Sequence, residues 1–210
     1  MLYIFDWDGT LCDSLSLITT SIRRSCEHLG LPVRSEEENR SIIGLGLKEA
    51  LEHLYPEIPD NQLDKLILAY RDHYLAGDKS QPSQLYSGVQ EVLDELRSQG
   101  HQLAVATGKS RRGLDRVLGE LKMHHYFEHS RCADETRSKP HPLMLQEILQ
   151  ESGAHPRDAI MVGDTDFDLL MAKSASVQAI GVSYGAHPLD RIMQAEPHRI
   201  IDHISELLED

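Results

Sequence analysis

Basic residues are in short supply. The 210-residue chain carries 21 Lys and Arg against 34 Asp and Glu, a formal charge of −13. Nucleic acids and anionic membranes are held by basic footprints, so a chain this acidic is excluded as a general binder of either. Cysteine is scarce as well. Cys12, Cys26 and Cys132 are odd in number and far apart, which excludes a disulfide framework and reads as free thiols in a reducing, cytoplasmic setting. Long hydrophobic runs are missing: the uncharged apolar stretches reach only five or six residues, as from Met1 to Phe5, where a membrane-spanning helix needs about 20. The N-terminus has no basic segment and meets Asp6 and Asp8 early, so no secretion signal is expected.

The chain does have enough apolar material for a core. Hydrophobic residues make up 40% and charged residues 26%, the composition of a globular protein. The length suits one large domain or one domain carrying a smaller insertion. Leu2 to Phe5 is a short apolar run of the kind a buried strand shows, and it stops at Asp6-Trp7-Asp8-Gly9-Thr10. Helical spacing follows in Leu15, Ile18, Ile22, Cys26 and Leu29, with Gly30 and Pro32 as the stop. Ser35 and Glu38 make a capping box for a short helix. Gly44-Leu45-Gly46 interrupts, a helix follows through Leu54, and Asp60 opens another with Leu63, Leu66, Ile67, Tyr70 and Tyr74 on one face. Gly77 to Ser87 reads as a linker. Residues 15–82 are therefore expected to be all-helical.

Beyond that point strand and helix alternate. Strands are expected at Gln102 to Ala106, within Tyr126 to Cys132, and at Ala159 to Val162, Val177 to Val182 and Arg199 to Ile201. Helices lie between them and a last one spans Ile204 to Leu208. This alternation predicts an α/β fold, a doubly wound parallel sheet covered on both faces. The first strand is cut off from the rest by the helical block, which makes the block an insertion. The expected division is 1–14 with 83–210 as a Rossmann-like core and 15–82 as a helical cap.

The residues that carry chemistry fall at the carboxyl ends of expected strands, the edge at which open α/β sheets bind ligands. Asp6 and Asp8 project to the same side, about 6.5 Å apart. Two converging carboxylates call for a cation or a proton between them, and a hard divalent ion such as Mg²⁺ prefers oxygen ligands. A solvated, capped strand end is the plainer reading of Asp-x-Asp alone. Gly163-Asp164-Thr165-Asp166-Phe167-Asp168 is a second acidic cluster, at a helix start, where Asp also suits the dipole. Neither cluster is a calcium loop: counting from Asp6 the glycine is at the fourth position and a strand precedes, and counting from Asp164 the sixth and twelfth positions, Leu169 and Ala175, lack the required Gly and Glu. Thr107 and Gly108 offer a hydroxyl and backbone N–H groups at a helix start, a fitting seat for phosphate. Lys139 precedes Pro140. Either of these last two is weak alone; the order acid pair, hydroxyl, lysine, acid pair is far more specific.

That order resembles the four motifs of the haloacid dehalogenase superfamily. They are matched by Asp6-Trp7-Asp8-Gly9-Thr10-Leu11, Thr107-Gly108-Lys109, Ser138-Lys139-Pro140, and Val162-Gly163-Asp164-Thr165 with Asp168. The likeness spans essentially the whole chain. The cap after the first strand, Asp8 to Ser14 and Tyr86 to Val89 are similar to the phosphoglycolate phosphatase and β-phosphoglucomutase branch. Trp7 and Cys12 depart from the usual residues without touching a catalytic carboxylate.

The resemblance implies a Mg²⁺-dependent phosphatase acting on a small phosphorylated metabolite of the phosphoglycolate type. Asp6 would be the nucleophile and form an aspartyl phosphate; Asp8 would be the general acid and base. The metal would be held by Asp6, the backbone carbonyl of Asp8, and Asp164. Thr107, Gly108 and Lys139 would bind the phosphoryl oxygens, and Asp168 would support Lys139 or a metal-bound water. The cap would choose the substrate. A phosphomutase or pyrophosphatase shares this core. A carbon-attacking dehalogenase would not need Asp8, and a receiver-type phosphoacceptor would be shorter and lack the cap. His124, His125 and His129 read as solvated, His141 as a helix-start residue, Cys12 as a buried filler, and Lys48 as solvent-exposed with a possible reach to a substrate anion.

Overall fold

A computed structural model describes residues 1–80, 82 and 84–209. In chain order it contains β1 (Leu2–Phe5), β2 (Cys12–Asp13), α1 (Leu15–Leu29), α2 (Glu36–Ser41), α3 (Leu47–Leu54) and α4 (Asp60–Ser80). There follow β3 (Gln84–Leu85), α5 (Val89–Ser98), β4 (Gln102–Thr107), α6 (Arg111–Glu120), β5 (His129–Cys132) and α7 (Leu143–Ser152). The chain closes with β6 (Ala159–Gly163), α8 (Asp166–Ser174), β7 (Gln178–Val182), α9 (Leu189–Gln194) and β8 (Arg199–Ile201). The helix expected at Ile204 to Leu208 is a 3₁₀ segment. Among the described residues no helix is long and apolar enough to cross a membrane.

Six strands form one parallel sheet in the order β5-β4-β1-β6-β7-β8. Strand residues alternate between two apolar layers. Leu2 and Ile4 pack with Met144, Leu145 and Ile148 of α7 and Leu169 of α8, whereas Phe5 packs with Val92, Leu93 and Leu96 of α5 and Leu114 of α6. Burial on both faces is why these strands read as unbroken apolar runs. β1 sits between β4 and β6, with later strands running outward on either side. The strand order reverses there, which opens a crevice beyond the carboxyl ends of β1, β4 and β6.

Helices α1 to α4 lie between β2 and β3 and bury an apolar cluster of their own, including Leu15, Ile18, Ile22, Ile43, Leu51, Leu63 and Leu66. The predicted capping box of Ser35 and Glu38 is formed. The linker expected from Gly77 to Ser87 is corrected: α4 runs on to Ser80. A Cβ on Gly77 would stand 2.6 Å from Leu17 Cδ1, so this glycine is where α4 presses against α1 rather than a break. Asp78, one residue on, is buried and paired with Arg116 of α6. Gln81 and Ser83 of the expected linker lie outside the described residues. β2 and β3 pair antiparallel, Cys12 with Leu85 and Asp13 with Gln84, and tie together the two connections to the helical block.

All three thiols are buried. Burial pushes Cys12 and Cys132 up to about 12, so their thiolate fraction at pH 8 is about one part in ten thousand. Iodoacetamide at pH 8 is expected to label Cys12 and Cys132 only after unfolding. Peptide mapping that found either labelled rapidly in the native protein would contradict this.

Candidate active site

Four loops at the carboxyl edge of the sheet converge on one buried spot. Asp6 follows β1, Thr107 ends β4, Asp164 follows β6, and Lys139 comes from the loop between β5 and α7. Asp6, Asp164, Asp168, Lys139 and Thr107 are all at most 2% exposed. Lys139 Nζ lies 2.7 Å from Asp6 Oδ1 and 2.7 Å from Asp168 Oδ1. Asp168 is aimed by the start of α8: its Oδ2 accepts from Thr165 N and Thr165 Oγ1 at 3.1 and 2.7 Å, while Thr165 caps the helix. Asp164 accepts from Thr10 Oγ1 at 3.0 Å and from the Ala186 N–H at 2.7 Å. Gly9 lets the turn after Asp8 reach this carboxylate. Its φ is +82°, and a Cβ there would stand 2.1 Å from Asp164 Oδ2.

The carboxylates that crowd together are Asp6, Asp164 and Asp168, whose oxygens lie within 4.8 Å of one another. The Asp8 carboxyl, expected to converge with Asp6, turns away instead and pairs with Lys109 at 3.0 Å. Three buried carboxylates against one ammonium leave the cluster short of positive charge. Burial raises the pKa of Asp6 well above the carboxylate range; repulsion from Asp168 and Asp164 adds to this, and Lys139 opposes it. Burial, then the Asp168 charge, moves Asp164 up to about 6. Asp6 Oδ2 is buried without a hydrogen-bond partner among the described residues. A hard divalent cation supplies both the missing charge and the missing partner, and oxygen donors are what Mg²⁺ takes, so the residues present fit it.

Around this cluster the remaining groups fall into place. The Lys109 N–H donates to Thr107 Oγ1 at 3.2 Å, which leaves the Thr107 hydroxyl proton free to donate. Gly108 lies beneath the Gly44-Leu45-Gly46 turn: a Cβ there would meet Leu45 O at 2.4 Å and Gly44 O at 2.8 Å. Gly46 N donates to Ser138 Oγ at 2.8 Å. The helical block thus touches the loops that carry Thr107 and Lys139. A cavity of about 340 Å³ opens beside Lys139, lined by Glu49 of α3 and by Thr136, Arg137, Ser138 and His141. Lys48 is exposed, with Glu52 3.8 Å away, and does not line that cavity.

Two arrangements gave no sequence signal. Lys109 meets Asp8 only because β4 lies beside β1. Buried His187 bridges the two parts of the chain, its Nδ1 3.0 Å from Asp166 Oδ1 and its Nε2 donating to Ser41 O at 3.1 Å. Asp166 also pairs with Arg191 at 2.7 Å and belongs to this seam rather than to the carboxylate cluster.

Residues 3–182 match the family described as haloacid dehalogenase-like hydrolase. The chain belongs to that family. This hydrolase is 35% identical over 210 residues to "Probable phosphatase IndB" of Dickeya dadantii, covering 99% of this chain and 91% of that one. It is 33% identical to a phosphoglycolate phosphatase of Nitrosococcus oceani, covering 97% and 93%. Among solved structures, one described as a predicted phosphoglycolate phosphatase of Haemophilus somnus superposes with a TM-score of 0.89 at 27% identity, covering 99% and 96%. Within the family the likeness is to phosphatases.

Proposed function

We propose that this hydrolase is a Mg²⁺-dependent phosphatase of small phosphate monoesters of the phosphoglycolate type, working through a phosphorylated Asp6. One observation carries the reading: Lys139, sealed from water, is clamped between Asp6 and Asp168 while Asp6 keeps a buried oxygen without a partner. Lys139 holds the carboxylate in place through Oδ1 and leaves Oδ2 to act as the nucleophile. The phosphatase names of the relatives support the substrate class.

In the first step an Asp6 oxygen bonds to phosphorus as the ester P–O bond breaks, and Asp8 gives its proton to the departing oxygen. In the second, water attacks the phosphorus, Asp8 takes a proton from it, and the Asp6 carboxylate is released. Thr107, the Gly108 N–H and Lys139 hold the non-bridging oxygens, where charge gathers. Asp6, Asp164 and the backbone carbonyl of Asp8 would hold the metal, with Asp168 supporting Lys139. When bound, the ion screens the anionic ester from the carboxylates.

Activity is expected to vanish on dialysis against a chelator and to return with Mg²⁺. Asp164→Ala should raise the Mg²⁺ concentration for half-maximal rate by about tenfold or more. Full activity after chelation, or an unchanged Mg²⁺ titration in the variant, would contradict the reading. Inorganic phosphate should appear in step with ester loss; an isomeric phosphate ester would indicate a mutase instead.

The helical block acts as a cap that selects substrate. Leu45 rests on Gly108, so Leu45→Ala should change kcat/KM by factors that differ from ester to ester across a panel of small phosphates. A uniform change would place specificity in the core loops.

A further inference from the structure

Lys109 continues the loop that presents Thr107 and Gly108, and the chemistry above gives it no part. Its ammonium is nonetheless fixed. Lys109 Nζ lies 3.0 Å from Asp8 Oδ1 and 3.1 Å from the Tyr74 hydroxyl, 4.9 Å from the centre of the Tyr74 ring. The Lys109 and Asp8 side chains are only 10% and 13% exposed. An exposed pair would cost side-chain entropy and stay loose. A pair shielded like this keeps its geometry whether or not Oδ2 carries a proton, because separation would strand a desolvated ammonium.

The pairing is also directional. Ser14 Oγ donates to the same Asp8 oxygen that Lys109 holds. Both anchors act on Oδ1, and no described residue bonds to Oδ2. The ammonium is in turn held by the helical block. Tyr74 lies on α4, and one turn further Asp78 pairs with Arg116 on α6, whose guanidinium lies 5.8 Å from the Tyr74 ring centre. Three separate stretches therefore meet at the Lys109 ammonium: the loop after β1, the loop after β4, and the last turns of α4.

We propose that Lys109, held by Tyr74, is a positioning residue for Asp8: with Ser14 it pins Oδ1, so that Oδ2 is the oxygen presented to the leaving group and to water. The proposal rests on Asp8 being the proton-transfer group. It makes the seating of α4 a determinant of rate, beyond any part the cap has in choosing substrate. Lys109 need not touch the ester; it acts by fixing the oxygen through which the proton passes.

A double-mutant cycle on the 210-residue enzyme with Mg²⁺ and an alkyl phosphate monoester, read by released inorganic phosphate, tests this. Lys109→Met is expected to lower kcat about 10–100-fold with KM within about threefold, because an unpinned acid and base gives up part of the 10²–10⁴-fold that such groups supply. In an Asp8→Asn background the same change should cost less than about twofold further, since residues that act as one unit lose together. Full activity of Lys109→Met, or the same factor lost in both backgrounds, overturns the proposal and leaves Asp8 its role. Near-normal activity of Asp8→Asn alone overturns the reading of Asp8 and the proposal with it. Should Lys109→Met not fold, Tyr74→Phe removes only the hydroxyl. It then carries the same cycle with an expected loss of about 3–10-fold, and additive losses again overturn the proposal.

Discussion

Replacing Asp6 by Asn is expected to lower kcat by at least about 10⁴-fold, the scale on which a nucleophile is lost, while the protein stays folded. An amide nitrogen or oxygen will not form the phosphoryl bond, yet it fills nearly the volume of the carboxylate. The substitution also removes one of three negative charges held within 4.8 Å. The metal-free variant should therefore melt no lower than the parent, and Mg²⁺ should raise its Tm by less, because one ligand charge is gone. Steady-state assays and thermal melts with and without Mg²⁺ check both halves. More than a few per cent of residual turnover, with contaminating phosphatase excluded, would end the assignment of Asp6 as nucleophile.

Lys139→Met carries the second large effect, on stability as well as rate. Methionine matches the aliphatic stem but leaves Asp6 and Asp168 facing each other and Asp164 without the ammonium. Breaking a buried ion pair by removing one partner costs about 3–5 kcal/mol, which in a chain of this size lowers Tm by about 6–20 °C. Here the ammonium serves two carboxylates, each at 2.7 Å. Added Mg²⁺ should recover part of the lost Tm, because it brings positive charge to the same carboxylates. It should not recover the rate, which is expected to stay down by about 10²–10³-fold for want of the phosphoryl contact. An unchanged Tm in metal-free buffer would mean that the carboxylates are already neutral, and the electrostatic account of the site would fail.

Much of the fold was legible because a parallel sheet buried on both faces writes itself as short apolar runs. β1, β4, β6, β7 and β8 were each found within a residue or so, and the ends of those runs located Asp6, Thr107 and Asp164. Lys139 was expected at a strand end as well, but it lies in the loop between β5 and α7, seven residues past Cys132, so its place in the motif order was its one usable signal. The two-residue ribbon of β2 and β3 was invisible, being too short to show any period. Gly77 misled, because a glycine that lets two helices touch looks in sequence like one that ends a helix. The largest gap concerned Asp8. Spacing along one strand put its carboxyl beside Asp6. The structure pairs it with Lys109, about a hundred residues away in sequence, a contact that follows from strand order and from no local pattern. His187 was equally hidden, as its partners Asp166 and Ser41 come from α8 and α2.

The central claim is that phosphorus is displaced twice, first by Asp6 and then by water. The stereochemical course at phosphorus reads this directly. With a monoester made chiral at phosphorus by oxygen isotopes and sulfur, turned over in isotopically labelled water, two in-line displacements give net retention of configuration, and retention is the predicted result. Net inversion would show that water attacks the ester directly. The carboxylate that Lys139 holds would then be a metal ligand and not a nucleophile.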